Sequence, residues 1–193
     1  MTKRLLTGQE TFTYSHTPPN ILSDFWAWNS SDLLDNTLRG AFAEFIVATA
    51  VHADLTLPRV SWAEYDLEAE MCGRIVKIEV KSSAYLQSWE QHKLSRIVFS
   101  CAPSQAFVNQ DFDGNSIRHA DVYVFCVFEC KDPSAADPLD LDQWSFYILP
   151  TAVLDEKIGL QKTITLPSLQ RLNPIAAHYH EIYDSVAKCA AGH

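Results

Sequence analysis

The segment 120–130, "ADVYVFCVFEC", is apolar on consecutive residues rather than on alternate ones. A strand with one wet face would alternate, so this one reads as a central strand covered on both sides. A sheet buried on both faces needs a layer above and a layer below, which confines the chain to a mixed α/β architecture. The remaining patterns supply those layers. Leu34, Leu38, Phe42, Phe45 and Thr49 fall near one helical stripe between Leu33 and His52, with Ser31 or Asp32 as the expected cap. Residues 60–70 alternate as a half-buried strand, "MCGR" turns, and 74–83 forms the next strand. Residues 84–95 read as a short helix or a structured loop, followed by strands at 95–102, 120–130 and 144–150. "NQDFDGNS" and "DPSAADPLDLD" read as loops, and "PIAAHYHEIYDSVAKCA" as a C-terminal helix.

With 193 residues, 47% of them hydrophobic, the chain holds material for one well-packed core. A single domain is expected over 1–193: an extension at 1–31, a core at 33–150 and a C-terminal extension with a helix at 151–193. The start, "MTKRLLTGQE", has no apolar run long enough for a signal sequence, and the apolar windows 41–51 and 122–128 are too short to span a bilayer. Cys72, Cys101, Cys126, Cys130 and Cys189 read as reduced thiols of a cytoplasmic protein, without zinc-site spacing. The net charge of −9 argues against coating nucleic acid by bulk electrostatics, but leaves room for carboxylates gathered around a metal.

The carboxylates carry the chemical signal. Side chains alternate across a strand, so Lys77, Glu79 and Lys81 share one face while Val76, Ile78 and Val80 share the other. A hairpin with an even-length loop centred on Cys72-Gly73 pairs positions that sum to 145. Asp66 then faces Glu79, Glu64 faces Lys81, and Glu68 faces Lys77. Two carboxylates that close repel unless a cation or a proton lies between them. An odd-length loop would move Asp66 to the other face. A solvent-facing hairpin with cross-strand ion pairs is the plainer account of the same charges. Glu44 adds a third acid, the sole charge in "GAFAEFIVATAV", on a face with Gly40, Ala41, Val47, Ala48 and Val51. A lone carboxylate there needs a partner: an ion pair with Arg39 or another base, or a shared site with Asp66 and Glu79. Three acids and a lysine suit a hard cation such as Mg²⁺ or Mn²⁺, with Lys81 beside the attacking water or the phosphate.

The helix acid Glu44 in "RGAFAEFIV", the strand acid Asp66 in "EYDLEAE", and Glu79 and Lys81 in "IEVKSS" together resemble the restriction-endonuclease-like, or PD-(D/E)XK, nuclease superfamily. The resemblance covers about residues 33–130. It implies an αβββαβ core with a central mixed sheet flanked by helices, and Mg²⁺-dependent phosphodiester hydrolysis that leaves 5′-phosphate and 3′-hydroxyl ends. It implies Asp66 and Glu79 as metal ligands, Glu44 as a ligand or supporting carboxylate, Lys81 beside the water, and Gln87 in "AYLQSW" as a further site residue. The motif's proline is absent, since Tyr65 precedes Asp66, which leaves Glu64, Glu68 or Glu70 as alternative acids.

The expected function is a DNA endonuclease, of a restriction or defence kind, cutting as a homodimer because one domain carries one site. The competing expectation is a non-catalytic binding or assembly protein that keeps the fold. Tyr85 and Trp89 read as core packing rather than base stacking. Lys77, Arg74, Lys93, Arg96 and Arg118 read as surface charges.

Overall fold

The computed structural model describes residues 4–13, 20–61, 63–71, 73–108 and 111–192, the side chains of 105–115 excepted. Its centre is a five-stranded mixed sheet in the order β1-β2-β6-β7-β9, formed by β1 (Leu67–Met71), β2 (Arg74–Ala84), β6 (Val122–Phe128), β7 (Trp144–Pro150) and β9 (Ile175–Ala177). β1 and β2 form an antiparallel hairpin, β2 and β6 run parallel, and β7 and β9 continue antiparallel. The alternation in β6 explains its sequence. Val122, Val124, Cys126 and Phe128 enter one core layer, and Tyr123, Phe125 and Val127 enter the other. The first layer is closed by helices α2 (Asn36–Ala50) and α5 (Ile182–Ala191). The second is closed by α3 (Thr151–Ile158), α4 (Leu166–Gln170) and a small sheet of β3 (Val98–Ser100) with β8 (Thr163–Thr165). The expected mixed sheet with helices on its flanks is present.

Local chemistry sets several boundaries differently from the sequence reading. The expected helix over Leu33–His52 begins later: Asp32 takes the Leu34 N–H in a turn, and Asp35 caps α2 by accepting from Thr37 and Leu38. It ends at a left-handed His52 (φ 57). The strand expected at 60–70 is shorter, because residues 60–66 are irregular among those described and pairing starts at Leu67. The hairpin register does sum to 145, with Leu67 opposite Ile78 and Glu68 opposite Lys77, and Gly73 at φ 76 makes the turn. Cys72 lies outside the described residues.

The segment after β2 is a loop. Gln91 organises it, accepting from the Gln87 N–H at 2.8 Å and donating to Ser95 at 3.0 Å. No helix forms between β2 and β6 among the described residues. The crossover runs through that loop, β3 and a hairpin of β4 (Ser104–Val108) and β5 (Asp111–Ile117). That hairpin replaces most of the loop expected at "NQDFDGNS", of which 109–110 lie outside the described residues. The C-terminal segment spends its first residues on β9 before α5 begins. The remaining helix, α1 (Leu22–Ser30), buries none of its residues. Among the described residues, no helix is long and apolar enough to cross a membrane. Cys101, Cys126 and Cys189 are buried free thiols.

Candidate active site

The site forms where β1 stops. Asp66 is the last residue before the ladder, and its N–H still reaches the Ile78 carbonyl at 3.1 Å. Beyond it, β2 continues from Glu79 to Ala84 with no β1 partner. The first exposed donor of that open edge, the Val80 N–H, is taken by the Asp66 carboxylate at 2.8 Å. Asp66 is thereby fixed next to Glu79, on the side of the strand that also carries Lys81. The Lys81 ammonium donates to Glu79 and lies 3.9 Å from Asp66, so one cation stands between two carboxylates. All three side chains are between 18% and 26% exposed, low enough for charge to matter and open enough for a ligand to enter.

The electrostatics follow from this crowding. Burial pushes the Asp66 carboxyl up to about 6, and the Glu79 carboxylate pushes in the same direction. Lys81 and the Val80 N–H pull it down without cancelling the rise, and Glu44 adds a smaller upward push. Near neutral pH, Asp66 is thus a carboxylate with less stabilisation than its charge demands. A divalent cation would supply it.

Glu44 approaches from α2 and lines the same cleft as Asp66, a space of about 690 Å³. Its carboxylate is nevertheless occupied. Arg59, in the loop after α2, holds both Glu44 oxygens through two guanidinium nitrogens, one at 2.5 Å. The ion pair allowed for Glu44 exists, but its partner is Arg59 and not Arg39. Arg59 is the residue that sequence reasoning missed. The available signal was its position as the sole Lys or Arg between Arg39 and Arg74, in a stretch dense with acids.

Other expected members make other contacts. Gln87 donates to the Ala84 carbonyl at 3.0 Å, meets Arg39 at 3.5 Å and lines a different cleft. Glu64 lies 3.9 Å from His119 rather than against Lys81. Glu68 accepts from the Tyr65 hydroxyl, whose ring carries the Lys77 ammonium 4.9 Å above it. Glu70 is exposed on β1 opposite Ile75. Of the four acids on this stretch, Asp66 is the one placed against Glu79 and Lys81. Trp89, expected in the core, is 55% exposed.

Among the described residues, no three acidic, histidine or cysteine side chains stand together as a ready-made metal cage. Of the three expected carboxylates, Asp66 and Glu79 lie against Lys81, while Glu44 is paired with Arg59. Mg²⁺ is commonly held by one or two carboxylates, with water and phosphate completing its shell. The Asp66–Glu79 pair, short of positive charge, fits that requirement.

No protein-family model matches the chain, and no curated protein matches it. Among solved structures, the chain is similar to a bacterial homing endonuclease, I-Ssp6803I, at 21% identity and a TM-score of 0.39, over 67% of this chain and 76% of that one. So distant a likeness carries no argument about activity.

Proposed function

We propose that this protein is a divalent-metal-dependent nuclease that hydrolyses phosphodiester bonds of DNA. The observation that supports the reading is the Lys81 ammonium standing between the Asp66 and Glu79 carboxylates at the open edge of β2. Asp66 and Glu79 would hold Mg²⁺, or Mn²⁺ in its place, and the ion would lower the pKa of a bound water and offset charge on the phosphate. Lys81, released from Glu79, would keep its ammonium beside the attacking water and the phosphate oxygens, where negative charge accumulates. The Val80 N–H holds Asp66 in place throughout. Glu44 tunes the site through its charge and the orientation of Arg59. Two copies of the chain, each with one site, would cut both strands of a duplex.

The test is cleavage of plasmid, linear, branched and RNA substrates in Mg²⁺ and in Mn²⁺, with Asp66→Ala alongside. Metal-dependent cleavage that disappears in the variant supports the reading. A second reading, a non-catalytic binding or assembly protein, is favoured by the Arg59–Glu44 pair, which removes one carboxylate from the site. Absence of cleavage on every substrate would select it.

A further inference from the structure

A second cleft, of about 500 Å³, opens beyond the end of β2 between the 86–94 loop and the residues around Leu34 and Lys131. Its lining carries Lys93 and Lys131 against a single acid, Glu90, in a chain whose net charge is −9. Trp89 lines it and is 55% exposed, which leaves its indole available to a ligand. Lys131 sits 4.6 Å over the ring of Tyr85 and so stays anchored beside the loop.

Behind the cleft lies a buried positive charge. Arg39 is 4% exposed, and among the described residues none of its hydrogen-bond partners is a carboxylate. It donates to the Leu34 carbonyl at 3.0 Å, to Asn36 at 2.6 Å and to Gln87 at 3.5 Å, while its Nε has no partner among the described residues. Leu34 and Gln87 both line the cleft. Asp35, the cap of α2, acts on Arg39 only through space. A guanidinium withdrawn from water with no carboxylate bonded to it is costly, and an anion in the adjoining cleft would offset that cost.

We propose that this cleft binds a single-stranded flank of the nucleic acid, with a base against Trp89 and phosphates at Lys93 and Lys131. Stacking needs a free base face, which an intact duplex does not offer, and an aromatic platform beside cations is how unpaired strands are held. The cleft begins past the end of the strand that carries Glu79 and Lys81, so a strand leaving the candidate site along β2 would meet it. The inference rests on the nuclease reading for the kind of polymer, but not on its chemistry.

The experiment is fluorescence anisotropy in EDTA, where no cleavage occurs, with a labelled oligothymidylate of about twelve nucleotides and a labelled duplex of similar length. Wild type, Trp89→Ala, Lys93→Ala/Lys131→Ala and Lys188→Ala are compared, each checked for an unchanged melting temperature. Lys188 is exposed on α5 and serves as the charge control. The expected result is tighter binding of the single strand than of the duplex. Trp89→Ala should weaken single-strand binding about tenfold or more. The double lysine variant should weaken it too and flatten the dependence of log K on log salt by about 1.4, at roughly 0.7 for each lost contact. Lys188→Ala should stay close to wild type. No single-strand binding, equal or tighter duplex binding, or affinities unmoved by both variants would each overturn the proposal. Asp66-dependent cleavage is scored separately: single-strand binding by this cleft without cleavage keeps the inference and removes the nuclease reading, and cleavage with unmoved binding does the reverse.

Discussion

Asp66 is the residue on which the local physics turns. Its carboxyl is raised from an ordinary 3.8 to about 6, so the folded metal-free protein holds this proton more tightly than the unfolded chain. Stability should therefore fall as pH rises from about 4 to 6, by at most about 3 kcal/mol if nothing else titrates. Asp66→Asn removes that slope, and urea midpoints for both proteins across this range measure it; parallel curves would show that burial and Glu79 do not raise the Asp66 carboxyl. Glu44 makes a second case. Its partner Arg59 keeps 46% of its side chain exposed, so Glu44→Gln leaves a guanidinium that water can still reach. The cost should be about 1–2 kcal/mol, below the figure for breaking a fully buried pair, with cleavage reduced. A variant that loses stability but cuts at the wild-type rate would make the pair structural only. These acids were legible because each stands out against its segment: Glu44 among apolar residues, Glu79 and Lys81 on one face of a strand. Arg59 was not assigned, because its isolation among acids says that it will pair but not which carboxylate its long side chain reaches.

The elements place those residues by stopping at particular points. β1 begins only at Leu67, and that late start leaves open the edge of β2 on which Asp66 is fixed. The sequence left two loop parities open, and the even one holds, with Gly73 in the turn and Val76 and Ile78 buried. Short and polar elements were not readable. β9 has too few residues to show a period, and β4–β5 is built from a polar, glycine-containing stretch that reads as a loop. Capping is local and can be tested directly: Asp35→Ala removes the acceptor for two N–H groups of α2 and should cost about 1 kcal/mol by chemical denaturation. Longer-range anchoring comes from Arg118, read from sequence as a surface charge. It is buried and donates to the Cys101 and Gly159 carbonyls and to Asp155, tying the entry of β6 to α3. Arg118→Met should cost about 2–4 kcal/mol, since it strands two carbonyls and a carboxylate. A loss under about 0.5 kcal/mol would mean that water replaces the guanidinium.

At the scale of the whole molecule, β2 and β6 divide the interior into two layers and bring charge and packing to opposite sides of the same strand. Val76, Ile78 and Val80 hold α2 against the sheet while Glu79 and Lys81 stay available for chemistry. The mixed architecture was legible in the doubly buried run of β6, whereas the second cleft was not, because it depends on how a loop folds back over Leu34. A chain with this much negative charge should gain stability when a divalent ion enters between Asp66 and Glu79, about 2.7 kcal/mol at a hundredfold excess over its dissociation constant. The sharpest single measurement joins that binding to the chemistry. Lys81→Ala, titrated with Mn²⁺ by calorimetry and assayed for cleavage on the same preparation, should bind metal at close to the wild-type affinity. It should also cut nucleic acid more slowly by about two orders of magnitude or more. Wild-type cleavage without the Lys81 ammonium would contradict the account.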